Sequence, residues 1–185
     1  MISLVETESA AARSFNGLSL VHCQPCWYAL YTRSRHEQVV REQLDGKGIE
    51  NFLPCCTKLS HWKDRKKKIQ VPLFSGYVFV KILVHDRFEV LKSFGAVRLV
   101  GEGYTPIPIP EEQILNIQTF VEKGLKYDPR PYLRVGNKVR ILDGPLSGIE
   151  GILIRKKNQE RLVVSVDLIQ RSISVEMDSW NIQRV

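Results

Sequence analysis

The sequence predicts an α+β protein in two parts: a mainly antiparallel sheet covered by helices, then a small β-barrel. Three observations carry this. Residues 71–84 (VPLFSGYVFVKILV) are β-branched and aromatic and apolar on both faces, as a strand buried on both sides requires. Amphipathic helical stripes occur before and after that run. Beyond residue 132 helical periodicity stops, and short Val/Ile-rich segments recur between turn signals.

Composition bounds the rest. The chain has 185 residues, 43% apolar and 25% charged, the balance of an ordinary soluble globular protein. Its net charge of +7 favours an anionic partner, nucleic acid before a membrane surface. No apolar run is long enough to span a bilayer. Residues 1–25 lack a basic n-region, and Glu6 and Glu8 interrupt any apolar core, so they read as a flexible tail and not a signal peptide. A cytoplasmic monomer is expected. The four cysteines, Cys23, Cys26, Cys55 and Cys56, then read as reduced thiols.

Taken in order, WYALYT from Trp27 reads as a short strand. RSRHEQVVREQLDGKG follows as a helix, with Ser34 as N-cap, Glu37 completing a capping box, and His36, Val40 and Leu44 on one stripe. Gly46 and Gly48 end it. Residues 49–59 form a second strand, interrupted by Pro54. Residues 60–68 are a short charged hairpin, and residues 71–84 are the central strand. Within that strand Val71, Leu73, Tyr77, Phe79 and Lys81 share one face; Val78, Val80 and Ile82 share the other. Ser75-Gly76 bends the chain, leaving Phe74 where a core has no obvious need of it.

Asp86 caps a short helix, RFEVLKSF, which Gly95 ends, and AVRLVG is another strand. Pro110 opens a further helix with Glu111 and Glu112 at its positive end and an apolar stripe of Ile114, Ile117, Phe120 and Val121. KYDPRPY, residues 126–132, fits neither period and reads as a linker. The boundaries expected are a tail at 1–25, a first domain at 26–125, the linker, and a second domain at 133–185. KVRILDG, IEGILIRK, RLVVSVDLI and RSISVEM are its four strands.

Few residues carry reactive chemistry. There is no G-x-S-x-G, no phosphate loop and no pair of carboxylates beside a histidine, so a non-enzyme without cofactor is expected. Cys23-x-x-Cys26 with Cys55-Cys56 has the count for zinc, but adjacent cysteines chelate poorly, so no metal is expected. Residues 58–68 carry six Lys/Arg against one Asp, with Trp62 in their midst. Such a stretch is either a solvated loop or a phosphate contact. Arg33 and Arg35 at a helix N-terminus oppose the macrodipole, which favours a binding role for them with His36.

Gly136, Val139, Gly144, Pro145, Gly148 and Gly151 resemble the KOW motif, the core of an SH3-like barrel. There a turn at Gly144 and close backbone approach at Gly148 and Gly151 are expected. WYALYTRSRHE at 27–37, PLFSGYVFV at 72–80, GAVRLVG at 95–101 and PIPIPEEQI at 106–114 resemble the NusG N-terminal (NGN) domain in order and spacing. NGN, a linker and one KOW domain make up the bacterial NusG family. The basic RSRHE, the short hairpin and PLF resemble its specialised, RfaH-like paralogs.

The resemblance implies a transcription elongation or antitermination factor. It implies an apolar patch of Phe74, Tyr77, Leu53 and Pro54 for the clamp helices of the largest RNA polymerase subunit. Arg33, Arg35 and His36 would meet the non-template DNA strand. Trp62, Lys63, Arg65, Lys66, Lys67 and Lys68 would meet upstream DNA. An apolar edge of Leu146, Ile149, Leu168 and Ile169 on the KOW barrel, with alternation turning one of Leu168 and Ile169 into the core, would take a small-subunit ribosomal protein or the termination factor Rho. The alternative is a ribosome-associated KOW-type RNA-binding protein.

Overall fold

The computed structural model describes residues 24–62, 65–123, 127–131, 136–144, 146–156, 159–177 and 182–184. The tail expected at 1–25 lies almost wholly outside them. Among them are two main sheets, three α-helices and two two-stranded ribbons, one long and one short.

The chain enters through β1 (Cys26–Thr32), α1 (Glu37–Gly46) and β2 (Asn51–Phe52). A long hairpin follows, β3 (Cys55–Trp62) and β4 (Arg65–Pro72). Then come β5 (Tyr77–Ile82), α2 (Arg87–Leu91) and β6 (Ala96–Leu99). The first sheet is antiparallel, ordered β2-β5-β1-β6. A small ribbon of β7 (Gly101–Glu102) and β8 (Thr105–Pro106) leads to α3 (Glu111–Glu122).

Strand alternation divides this sheet between two cores. Val78, Val80 and Ile82 of β5 and Tyr28 and Leu30 of β1 pack with Val40 and Leu44 of α1 and Val90 of α2. Phe79, Trp27 and Ala29 face the other way, towards Ile114, Ile117 and Phe120 of α3. Full burial of a side chain such as Phe79 stabilises by roughly 1.5–3 kcal/mol. The expected two-faced central strand is therefore present, but it starts at Tyr77; Val71 and Pro72 close β4 instead.

Two local expectations are corrected. Ser34 is not the N-cap of α1: the cap is His36, with no side-chain cap bond, and the helix starts at Glu37. The hairpin is not short: β3 and β4 pair from Cys55↔Pro72 to Trp62↔Arg65. Strands of that length extend roughly 25 Å.

The second sheet runs β14-β10-β11-β12-β13-β9, all antiparallel. Its strands are β9 (Tyr127–Pro131), β10 (Asn137–Ile141), β11 (Glu150–Lys156), β12 (Gln159–Val166), β13 (Arg171–Met177) and β14 (Ile182–Arg184). Leu162, Val164 and Val166 alternate inward on β12, opposite Ile173 and Val175 of β13. The expected linker differs: residues 127–131 pair with β13 from Val175↔Tyr127 to Arg171↔Pro131. An edge position tolerates Pro129 and Pro131, which have no N–H to donate.

The apolar edge expected on this sheet is also corrected. Leu146, Ile149 and Ile169 are buried, and Leu168 is half-buried. The loop after β10 folds back on it: Gly148 N–H donates to the Ile141 carbonyl at 2.8 Å and Ile141 N–H to the Ile149 carbonyl at 3.0 Å. That return carries Leu146 into the core. The two sheets meet at α3, where Gln113 Nε2 donates to Asp167 Oδ2 at 3.0 Å and Asp167 N–H donates to Gln113 Oε1 at 3.2 Å.

Candidate nucleic-acid interface

The site is built where β1 ends, α1 begins and the 74–77 bend returns beneath them. Thr32 N–H donates to the Gly76 carbonyl at 2.8 Å, and Gly76 N–H donates to Glu37 Oε1 at 2.7 Å. Gly76 has φ +85°, a left-handed conformation that glycine adopts without strain. Glu37 is 5% exposed, so its carboxylate serves the bend and not solvent.

The bend does not present Phe74, contrary to its expected role as an exposed anchor. Phe74 is 3% exposed and packs edge-on against Phe79, with ring centroids 5.9 Å apart. The turn closed by Tyr77 N–H on the Phe74 carbonyl at 3.1 Å sends the phenyl back under the sheet. Leu53 and Pro54 are buried as well, and Leu53 joins the opposite core, with α1 and α2. The four residues thus do not form one patch. Tyr77 is half-buried and tilts against Tyr31, 39% exposed, at 5.5 Å.

Arg33 and His36 both meet the Phe94 ring, and Arg35 lies exposed between them in the chain. Arg33 N–H donates to the Gly95 carbonyl at 2.8 Å, which ties the start of α1 to the turn before β6. Arg35 has φ +63°, a left-handed conformation costing about 1–2 kcal/mol in a non-glycine residue. His36 Nδ1 lies 3.0 Å from the Ser34 carbonyl. Its ring meets Phe94 edge-on at 5.5 Å, and the Arg33 guanidinium sits 5.9 Å from the same phenyl centroid. Arg98 lies 6.0 Å from the Tyr31 ring. Residues 31–36 thus carry a strip of two ring clusters: Phe94 with Arg33 and His36, and Tyr31 with Arg98 and Tyr77.

Phe94, Tyr31 and Arg98 are absent from the sequence expectation. The available signal was an aromatic immediately before the helix-ending Gly95, in a stretch read only as helix.

The basic hairpin contributes its backbone: the Lys58↔Ile69 and Leu59↔Lys68 pairs are in register. Lys63 lies outside the described residues, as do the side chains of Trp62, Arg65, Lys66, Lys67 and Lys68.

In the motif resembling KOW, Val139 is fully buried and Gly144 turns at φ +91°. Gly151 fits the expected close approach, since a Cβ there would lie 2.6 Å from the Val163 carbonyl oxygen. Gly148 does not: a Cβ would meet nothing within 4 Å, and its φ of +87° is the reason for glycine. Gly136 packs on Ile152; Pro145 lies outside the described residues.

Burial pushes the Cys55 pKa up, away from thiolate reactivity. Cys23 lies outside the described residues, among which no three His, Cys, Asp or Glu side chains are grouped to hold a metal. No helix among them is long and apolar enough to cross a membrane.

Known proteins are similar to this chain along most of its length. The transcription termination/antitermination protein NusG of Lactococcus lactis subsp. lactis is 28% identical over 184 residues, spanning 90% of this chain and 97% of the relative. Its namesake from Buchnera aphidicola is 27% identical over 172 residues, 85% of this chain and 95% of the relative. A solved structure, "Domain interaction in Thermotoga maritima NusG", aligns over 88% of this chain and 98% of its own at 16% identity and TM-score 0.48. The family model described as transcription termination factor NusG matches residues 25–118, which hold the first sheet and the whole strip; the chain belongs to the NusG family.

Proposed function

We propose that this chain is a non-enzymatic transcription elongation and antitermination factor of the specialised, RfaH-like type, acting as a monomer in the cytoplasm. It works as two units, residues 26–125 and 133–185, with β9 belonging structurally to the second. The first unit binds RNA polymerase at the clamp helices of its largest subunit. Tyr77 makes the contact there and Phe74 supports it from beneath. Arg33, Arg35 and His36 meet the exposed non-template strand, while the β3–β4 hairpin lies along upstream DNA. Holding the clamp favours the processive conformation of the polymerase, a shift of population and not a chemical step. The second unit recruits a further partner, a small-subunit ribosomal protein or Rho, at the raised effective concentration a tether provides.

The observation that carries this reading is the cation–aromatic strip, which lies wholly within the segment matched by the NusG family model. Guanidinium groups interleaved with exposed rings suit a single strand, with phosphates on the cations and bases on the rings.

Transcription by purified polymerase on a template with a strong pause and a terminator tests it. Saturating protein is expected to shorten the pause and to co-elute with polymerase, and Tyr77→Ser is expected to lose both effects with its fold intact. Unchanged pausing, read-through and elution with the unmodified chain would overturn the reading.

A further inference from the structure

Of the rings in the strip, Phe94 is the one for which the fold builds a hydrogen-bonded mount. The Gln43 side chain brackets its backbone: Phe94 N–H donates to Gln43 Oε1 at 2.9 Å, and Gln43 Nε2 donates to the Phe94 carbonyl at 3.1 Å. Gln43 Nε2 also donates to the Val39 carbonyl at 3.2 Å, which anchors the amide to α1. On the other side, the Gly95 carbonyl accepts from Arg33 N–H at 2.8 Å. Gly95 has φ +98°, and a Cβ there would stand 2.8 Å from His36 Cβ, so the turn beside Phe94 requires glycine.

This clamp displays a ring instead of burying it. Phe94 is 63% exposed, although its neighbour Ser93 is buried. Folding gains little from a phenyl left in water. His36 covers one edge and the Arg33 guanidinium stands 5.9 Å from the centroid. Arg35 is exposed close by in sequence, and Glu37, the nearest carboxylate along the chain, is turned inward to Gly76. The Arg33 guanidinium is therefore the charged group against the ring, and Glu37 does not neutralise it.

We propose that Phe94 is a stacking platform for an unpaired base of a single-stranded nucleic acid, with Arg33 and Arg35 holding the adjoining phosphates. Bases inside a duplex already stack on one another and offer the ring no face. An unpaired base offers one whatever its identity, so the platform tolerates sequence variation. Fixing the Phe94 backbone lowers the entropic cost of ordering the ring when the strand arrives. The proposal deepens the nucleic-acid reading of Arg33, Arg35 and His36, and rests on it.

Fluorescence anisotropy of the full chain with labelled strands of twelve thymidines, twelve uridines and twelve abasic deoxynucleotides tests the proposal. Phe94→Ala is expected to weaken binding to a base-bearing strand about 5- to 150-fold, the range for one stacked base, and to leave abasic binding unchanged. Phe94→Trp should bind as well as the unmodified chain. Phe94→Leu, which keeps an apolar side chain and a matching melting temperature, should behave as Phe94→Ala. Arg33→Ala should weaken binding to base-bearing and abasic strands alike. Loss with Arg33→Ala but not with Phe94→Ala overturns stacking alone, as does an equal loss of Phe94→Ala on the abasic strand. No measurable binding by the unmodified chain, or no effect of Arg33→Ala and Arg35→Ala, overturns the underlying reading as well.

Discussion

Glu37 accepts a hydrogen bond from Gly76 N–H at 2.7 Å, joining the first residue of α1 to a bend 39 residues further on. The bond is buried. Glu37→Ala leaves the Gly76 N–H without its partner, and a buried unsatisfied donor costs about 1–3 kcal/mol. Glu37→Gln keeps an acceptor oxygen and is expected to lose less. Urea unfolding of the two variants checks the order.

Phe74 supplies a test of core against surface. Truncation of a buried phenylalanine costs about 3–5 kcal/mol, so Phe74→Ala is expected to unfold at markedly lower urea. Phe74→Leu keeps much of the volume and should fold. Polymerase co-elution with Phe74→Leu then reports on docking without confusing it with collapse of the core.

Gly95→Ala places a methyl group against His36 in a left-handed backbone conformation. A loss of about 1–3 kcal/mol is expected. Thermal melting measures it. The same variant should disturb the NMR signals of Phe94 and His36 before those of β5.

The Lys81–Glu111 pair makes stability depend on pH. Lys81 Nζ donates to Glu111 Oε1 at 2.8 Å and lies 5.8 Å from the Trp27 ring. The hydrogen bond from Lys81 and then its charge hold the Glu111 pKa down; the bond to Glu111 is the largest cause raising that of Lys81. A depressed carboxylate pKa contributes stability that is present above the unfolded value and lost as pH falls through the folded one. The raised lysine pKa contributes below the unfolded value and is lost as pH rises through the folded one. The melting temperatures of the unmodified chain and Glu111→Gln should therefore differ most near neutrality and converge as pH falls below the depressed pKa of Glu111. Glu111 is exposed and Lys81 only half-buried, so the difference should be small and should shrink with salt.

Salt dependence checks the phosphate contacts. Each lost contact to a single strand is expected to lower the slope of log affinity against log salt by about 0.7. Arg33→Ala and Arg35→Ala should each do so.

Strand alternation was the most legible feature of this sequence. Trp27 and Ala29 went to one core and Tyr28 and Leu30 to the other, because a period of two leaves a strand no alternative once both faces are apolar. The helix at 37–46 was legible too, except for its buried face. Glu37 lies on the stripe with Val40 and Leu44, while Val39 is exposed. A carboxylate on a buried face is predictable only when its partner is known, and Gly76 is remote in sequence. Phe94 was missed for the same reason: Gln43 and Arg33, which fix and flank it, are 51 and 61 residues away. Phe74 was misplaced because the direction of a side chain at a bend depends on backbone torsions, which composition does not encode.

β9 lies at one edge of the second sheet, with prolines at 129 and 131. A chain cut at residue 132 would leave β13 as a bare edge of seven residues, RSISVEM, open to a strand from another molecule. Isolating the second unit in soluble form therefore requires starting it upstream of Tyr127. The segment that tethers the units also guards one of them against self-association.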